Sequence, residues 1–282
     1  MEAGKLLATR ILSNLGFHVE EIPVGAGRTA DLRITDDASI YHLEIKEKFE
    51  AEALANVRTD CLARGEVYEQ ADELAHDNRI SGILYDAGKQ LDKTPKDAGT
   101  FQLIWFHADG IDSDLKYRQA FATFYGQVQL IALEPLHSEI KHCFYFDYSA
   151  AFAMPTVEAL ILTDSDTLRV CLNEFAIRAN EFCSTQFYQR FLALDGVIDP
   201  LALASSGKVI ACRATIPRKS DKDVSNALQE QTGVLYSPIR MKRHACSVTV
   251  QVKDQAPDQW RHALTLAPDQ SEPRNGPRAL PG

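Results

Sequence analysis

The chain lacks the signatures of most common enzyme classes. No glycine-rich phosphate loop, nucleophile elbow or dinucleotide fingerprint occurs in its 282 residues. No apolar run approaches the ~20 residues that span a bilayer, which argues against a membrane protein. Met1-Glu2-Ala3-Gly4-Lys5 has neither the basic start nor the apolar run of a secretory signal, so the expected location is cytoplasmic. Cys61, Cys143, Cys171, Cys183, Cys212 and Cys246 lie far apart, without the close spacing of a zinc site or redox motif. They read as reduced, partly buried small hydrophobes. There are no internal repeats and no long low-complexity linker; only the Pro/Gly-rich stretch 268–282 reads as a disordered tail.

What is present is an ordinary globular composition, 45% hydrophobic and 24% charged, with a net charge of −9. That balance argues against nonspecific coating of nucleic acid, yet leaves local basic patches free to bind it. One such stretch spans Ser205–Ala245. There Lys208, Arg213, Arg218, Lys219, Lys222, Arg240, Lys242 and Arg243 outnumber Asp221, Asp223 and Glu230. It fits a phosphate-tracking surface or the solvated rim of a helix and two strands equally well.

The most informative residues stand in TADLRITDDASIYHLEIKEK, where Glu44 follows Asp31 by thirteen positions and Lys46 follows Glu44 by two. Ile40–Lys46 mixes β-branched, aromatic and polar residues, so it reads as a strand that projects Glu44 and Lys46 from one face. A turn at Asp36-Asp37-Ala38-Ser39 folds that strand back on Thr29–Thr35 and brings Asp31 toward Glu44. Two close carboxylates repel, and a hard divalent cation is the usual remedy.

The flanking pattern is specific. Leu6, Leu7, Ile11, Leu12 and Leu15 recur at helical spacing before Gly16, and Phe17–Ile22 reads as a strand, followed by the turn Gly25–Arg28. After the Glu-Ile-Lys strand, Glu50–Asp77 reads as helix with a possible interruption at Gly65, and Asn78–Leu91 as a second helix. Phe101–His107 reads as a buried strand, Leu115–Tyr125 as helix and Val128–Leu133 as strand. Beyond these come strands at Lys141–Ser149, Glu158–Thr163 and Thr167–Leu172, the last two forming a hairpin. Helix follows at Glu174–Leu194, then strand at Lys208–Arg213, helix at Asp221–Gln231 and strand at Ala245–Val252. His107, which closes its strand before Asp109, reads as structural.

Asp31 with Glu44-Ile45-Lys46, in this order of helix, strand and hairpin, resembles the PD-(D/E)XK nuclease superfamily. Within it, the likeness is to Holliday-junction resolvases and Mrr-type restriction enzymes. The resemblance implies an α/β fold with a restriction-endonuclease-like αβββαβ core over residues 1–135. An accessory α+β region would cover 136–267, as a sheet extension or a second small domain. It implies a Mg²⁺-dependent endonuclease acting on DNA, with Mn²⁺ able to substitute. Asp31, Glu44 and the Ile45 backbone carbonyl would hold the metal, with Glu2 a further candidate ligand, and Lys46 would position the attacking water and stabilise the transition state. Tyr85, Lys89 and Gln90 on the following helix would support the site or contact phosphate. Arg28 and the basic residues Arg218, Lys219, Lys222, Arg240, Lys242 and Arg243 are the candidates for nucleic-acid contact. By analogy the protein would dimerise and belong to a DNA-processing or defence system. The sequence departs from the family at the first helix: where an acidic residue often faces the metal, this chain offers Lys5, with Glu2 one turn earlier. That departure favours a second reading, a noncatalytic DNA-binding or scaffold subunit of the same fold. A third is a surface cluster on an unrelated α/β interaction protein.

Overall fold

A computed structural model describes residues 3–23, 29–133, 140–164, 166–240, 244–250 and 262–263. Helix α1 (Ala3–Asn14) leads through Gly16, at φ +81°, into strand β1 (His18–Glu21). The Phe17 N–H donates to the Leu12 carbonyl at 3.1 Å across this turn, an arrangement that needs the left-handed residue a side chain would strain. Strands β2 (Leu32–Thr35) and β3 (Ile40–Lys48) form the expected hairpin, and the Asp36 carboxylate accepts the Ser39 N–H at 2.7 Å in its turn. Helix α2 (Glu52–Ala63) and strand β4 (Tyr68–Glu73) follow, then α3 (Asn78–Lys93), β5 (Phe101–Ala108), α4 (Ser113–Tyr125) and β6 (Val128–Ala132). Next come β7 (Lys141–Phe144), β8 (Ala159–Thr163), β9 (Leu168–Leu172), α5 (Ala179–Cys183), α6 (Gln186–Ala193) and β10 (Val197–Ile198). The remaining elements are α7 (Pro200–Ser205), β11 (Ile210–Ala211), α8 (Asp221–Thr232), β12 (Tyr236–Pro238), β13 (His244–Thr249) and β14 (His262–Ala263).

The fold is α/β with a mixed central sheet of order β1-β2-β3-β5-β8-β9-β10, flanked by helices. Strand β5 lies at its centre, parallel to both β3 and β8, and all eight of its residues are buried. Leu43, Ile45, Leu103 and Trp105 pack on one face with Ala8 and Leu12 of α1 and Phe182, Phe187 and Phe191 near α5 and α6. Ile104, Phe106, Leu160 and Leu162 pack on the other with Ile80, Leu84 and Leu91 of α3 and Phe124 of α4. This second layer is the one that faces Glu44 and Lys46, because side chains alternate along β3. The start of α3 is fixed by Asp77, whose carboxylate accepts the N–H groups of Arg79 and Ile80 at 2.7 and 2.9 Å.

A second sheet, β11-β7-β6-β12, is covered by α8 through Val224 and Leu228. By its internal contacts the chain divides into Met1–Glu50 with Leu74–Arg243, and Ala51–Glu73 with His244–Gly282. In the smaller unit β13 pairs antiparallel with β4 from His244 opposite Glu73 to Thr249 opposite Tyr68.

Several sequence expectations are corrected. The helix expected over Glu50–Asp77 stops at Ala63, and Tyr68–Glu73 is strand because its ladder partner β13 lies far along the chain. Val128–Leu133 is strand but leaves the central sheet, and β8 takes the place beside β5. Of the strands after residue 135, β8, β9 and β10 extend the central sheet, while β7, β11 and β12 join β6 in the second sheet. The Lys141–Ser149 strand ends at Phe144, where Tyr145 turns to φ 62°. Glu174–Leu194 is two short helices, the second capped by the Thr185 hydroxyl, and Lys208–Arg213 contracts to the two residues of β11. The β8–β9 hairpin forms as expected. His107 is buried with its Nδ1 3.0 Å from the Thr163 hydroxyl, a structural role. Cys61, Cys143, Cys171, Cys183 and Cys212 are free thiols, while the Cys246 side chain and residues 268–282 lie outside the described set. No helix among the described residues is long and apolar enough to cross a membrane.

Gly126 closes α4 at φ +56°, and a Cβ built there would stand 2.3 Å from the Asp147 carbonyl oxygen. Backbone cannot yield as a side chain can. Gly126→Ala should therefore cost at least about 2 kcal/mol in urea denaturation, through left-handed strain and this clash together.

Candidate active site

The β2–β3 register pairs Leu32 with Leu43, and one residue further Asp31 falls opposite Glu44. Asp31 is held there by its main chain, whose N–H donates to the Leu43 carbonyl at 3.0 Å and whose carbonyl accepts the Ile22 N–H at 3.0 Å. Its Oδ2 accepts the Ile45 N–H at 2.8 Å, which leaves Oδ1 as the oxygen not committed to the backbone. Glu44 is 1% exposed. Its Oε1 accepts from the Lys46 ammonium at 2.5 Å, whereas Oε2 is buried with no hydrogen-bond partner. Helix α3 supports both strands: Gln90 Oε1 lies 3.5 Å from Lys46 Nζ, and Gln90 Nε2 donates to the Thr29 carbonyl at 2.6 Å. Thr94 Oγ1 accepts the Ala30 N–H at 2.7 Å, so the segment leading to Asp31 is fastened from the same helix.

Burial pushes the Glu44 carboxyl up to about 7, and the hydrogen bond from Lys46 only partly offsets it while the charge of Asp31 adds to it. A buried carboxyl with one unpartnered oxygen beside a second carboxylate makes Glu44 a candidate functional residue, although Glu174 near Asp199 shares the pattern. Lys5 enters from α1. Its Nζ stands 3.3 Å from Glu21 Oε2 and 4.0 Å from Asp31 Oδ1. The Gly4 N–H bonds to the Glu47 carboxylate on β3, which anchors the start of that helix against the strand.

Three carboxylates and two ammonium groups thus converge: Glu21, Asp31, Glu44, Lys5 and Lys46. Among the described residues no group of three His, Cys, Asp or Glu is arranged to hold a metal ion. Glu44 Oε2 has no partner, and Asp31 Oδ1 has only the Lys5 ammonium at 4.0 Å. That donor set is unlike a closed zinc site and suits a hard cation that keeps most of its waters.

Of the three α3 candidates only Gln90 joins this group. Tyr85 packs on the apolar core and its hydroxyl interacts with Tyr148, and Lys89 pairs with Asp86 at 3.3 Å on the exposed face. The basic stretch is also partly committed to structure. Arg218 donates to the Cys212 and Ala214 carbonyls at 3.2 and 2.8 Å, and Arg240 is paired with both Asp147 and Asp221. Lys219 and Lys222 remain exposed. Glu2, Arg28, Lys242 and Arg243 lie outside the described residues. Sequence reasoning missed Glu21. Its signal was positional, since it ends the strand paired with the one Asp31 introduces.

No family model, curated protein or solved structure matches the chain.

Proposed function

We propose that this chain is a metal-dependent DNA endonuclease with a restriction-endonuclease-like fold, and that Asp31, Glu44 and Lys46 form its catalytic centre. The observation that carries the reading is the buried, unpartnered Glu44 Oε2 opposite Asp31 and beside Lys46. Such an oxygen is costly unless a ligand completes it.

Asp31 and Glu44 would hold Mg²⁺, or Mn²⁺ in its place, with the Ile45 carbonyl as a third donor. The ion would lower the pKa of a bound water and neutralise phosphoryl charge. The residues of the chain supply the rest. Lys46 sets an ammonium where negative charge grows on the phosphoryl oxygens, and it orients the attacking water. Gln90 restrains Lys46, and Asp31 fixes the Ile45 backbone so that Glu44 and Lys46 keep their shared orientation. Duplex cleavage by such single-site proteins is commonly achieved by a homodimer, which we include in the proposal.

Lys5 near Asp31 favours a second reading, in which the fold is kept as a noncatalytic DNA-binding or scaffold subunit. Nicking of supercoiled plasmid with Mg²⁺ against EDTA separates the two. Asp31→Ala and Lys46→Ala should each slow nicking by about 100-fold or more. Wild-type rates in both variants would reject the assignment, and a wild-type chain that binds DNA without nicking it would support the scaffold reading.

A further inference from the structure

We propose that Lys5 is a resident counter-cation that a divalent ion must displace from Asp31, and that it restricts the site to one such ion. This rests on the reading of Asp31 and Glu44 as metal-binding. The Lys5 side chain is 16% exposed and its helix is tied to β3 through Gly4 and Glu47, so its ammonium is directed inward rather than free in solvent. It approaches Asp31 Oδ1, the oxygen left over once Oδ2 has accepted the Ile45 N–H. An incoming ion therefore meets a like charge at the ligand it needs. The unpartnered Glu44 Oε2 independently marks the same place as incomplete. Glu21, half-exposed and 3.3 Å from Lys5 Nζ, is already the nearer partner of the ammonium and keeps it paired when it leaves Asp31, so displacement does not strand a buried charge.

Charge bookkeeping sets the limit of one. Glu21, Asp31 and Glu44 carry three negative charges when ionised against the two positive charges of Lys5 and Lys46. One divalent ion turns the cluster slightly positive, and a second would meet a net repulsive site in the absence of substrate.

The test is Mn²⁺ binding to the full chain without DNA, by calorimetry and water-proton relaxation, for wild type, Lys5→Met, Lys5→Gln and Glu44→Gln. Two Lys5 variants guard against one that fails to fold, and circular dichroism checks each. Both should bind Mn²⁺ on the order of tenfold more tightly than wild type, a gap that narrows at roughly 0.5 M KCl. Wild type should bind one ion, and Glu44→Gln should lose that binding. If wild type binds Mn²⁺ and the Lys5 variants bind no more tightly, Lys5 is not a competitor and this inference fails while the nuclease reading stands. A wild-type stoichiometry of two overturns the limit. If neither wild type nor the Lys5 variants bind Mn²⁺, the metal reading falls and takes this inference with it.

Discussion

Glu44→Gln should lower metal-dependent cleavage by about 1,000-fold while leaving the metal-free chain as stable as wild type or more so. The two effects share one cause. Glu44 is buried on the α3 side of β3, one of its oxygens has no partner, and burial holds its carboxyl at about 7 instead of an ordinary 4.5. Between those values the folded chain binds a proton that the unfolded chain does not. The stability this group contributes is therefore present below pH 4.5 and is lost as pH rises through 7. A neutral glutamine of the same shape removes the penalty, so at pH 8 the variant should gain about 1–3 kcal/mol in EDTA. Lys46 loses its charged partner, but its side chain is a quarter exposed and turns to water at small cost. Thermal denaturation in EDTA across pH 5–8 should show a flatter profile for the variant than for wild type. Saturating Mn²⁺ should stabilise wild type alone. A variant that cleaves at the wild-type rate would refute the role of Glu44, and one that loses stability at pH 8 would refute the account of its burial.

Local chemistry made the site unusually readable. Alternation along Ile40–Lys46 was enough to place Glu44 and Lys46 on one face, and the Asp36–Ser39 turn was enough to bring Asp31 opposite Glu44. The same holds for α3, whose spaced Ile80, Leu84 and Leu91 mark the helix, although its cap, Asp77, reads from sequence as the end of the preceding helix. What escaped was pairing across long distances. Tyr68–Glu73 carries residues tolerant of helix and becomes strand only through β13. Val128–Ala132 has the apolar character of a central strand, yet the neighbour of β5 is chosen by the competition between β6 and β8, and β8 is apolar and buried throughout. Side-chain commitments escaped for a related reason. Tyr85, Lys89 and Gln90 are adjacent on one helix, but a 100° turn per residue sends only Gln90 to Lys46. Arg240 looks like a free cation in the sequence, and only the folded chain brings Asp147 and Asp221 to it.

Trp105 offers the largest expected effect on stability, and it connects the core to the site. It is fully buried in β5, paired with Ile45 of β3 on one side and Ile161 of β8 on the other, in the layer that holds Leu12, Leu43 and Phe191. Trp105→Ala leaves a void in a layer bounded by helices on one side and the sheet on the other, so little collapse is available. The expected loss is about 3–5 kcal/mol in urea denaturation followed by circular dichroism. Trp105→Phe should behave differently. The indole N–H is buried without an acceptor, so deleting it removes a desolvation penalty that offsets part of the lost ring area. That change should cost less than about 1.5 kcal/mol. The pair also tests how the site is held. Ile45 lies between Glu44 and Lys46, donates its N–H to Asp31, and rests in the ladder against Trp105. A cavity behind it should loosen all three side chains at once, because catalytic geometry tolerates displacements of only a fraction of an ångström. Under conditions where both variants are fully folded, Trp105→Ala should cleave more slowly than Trp105→Phe, and equal rates would show that the site is held by the hairpin and α3 alone.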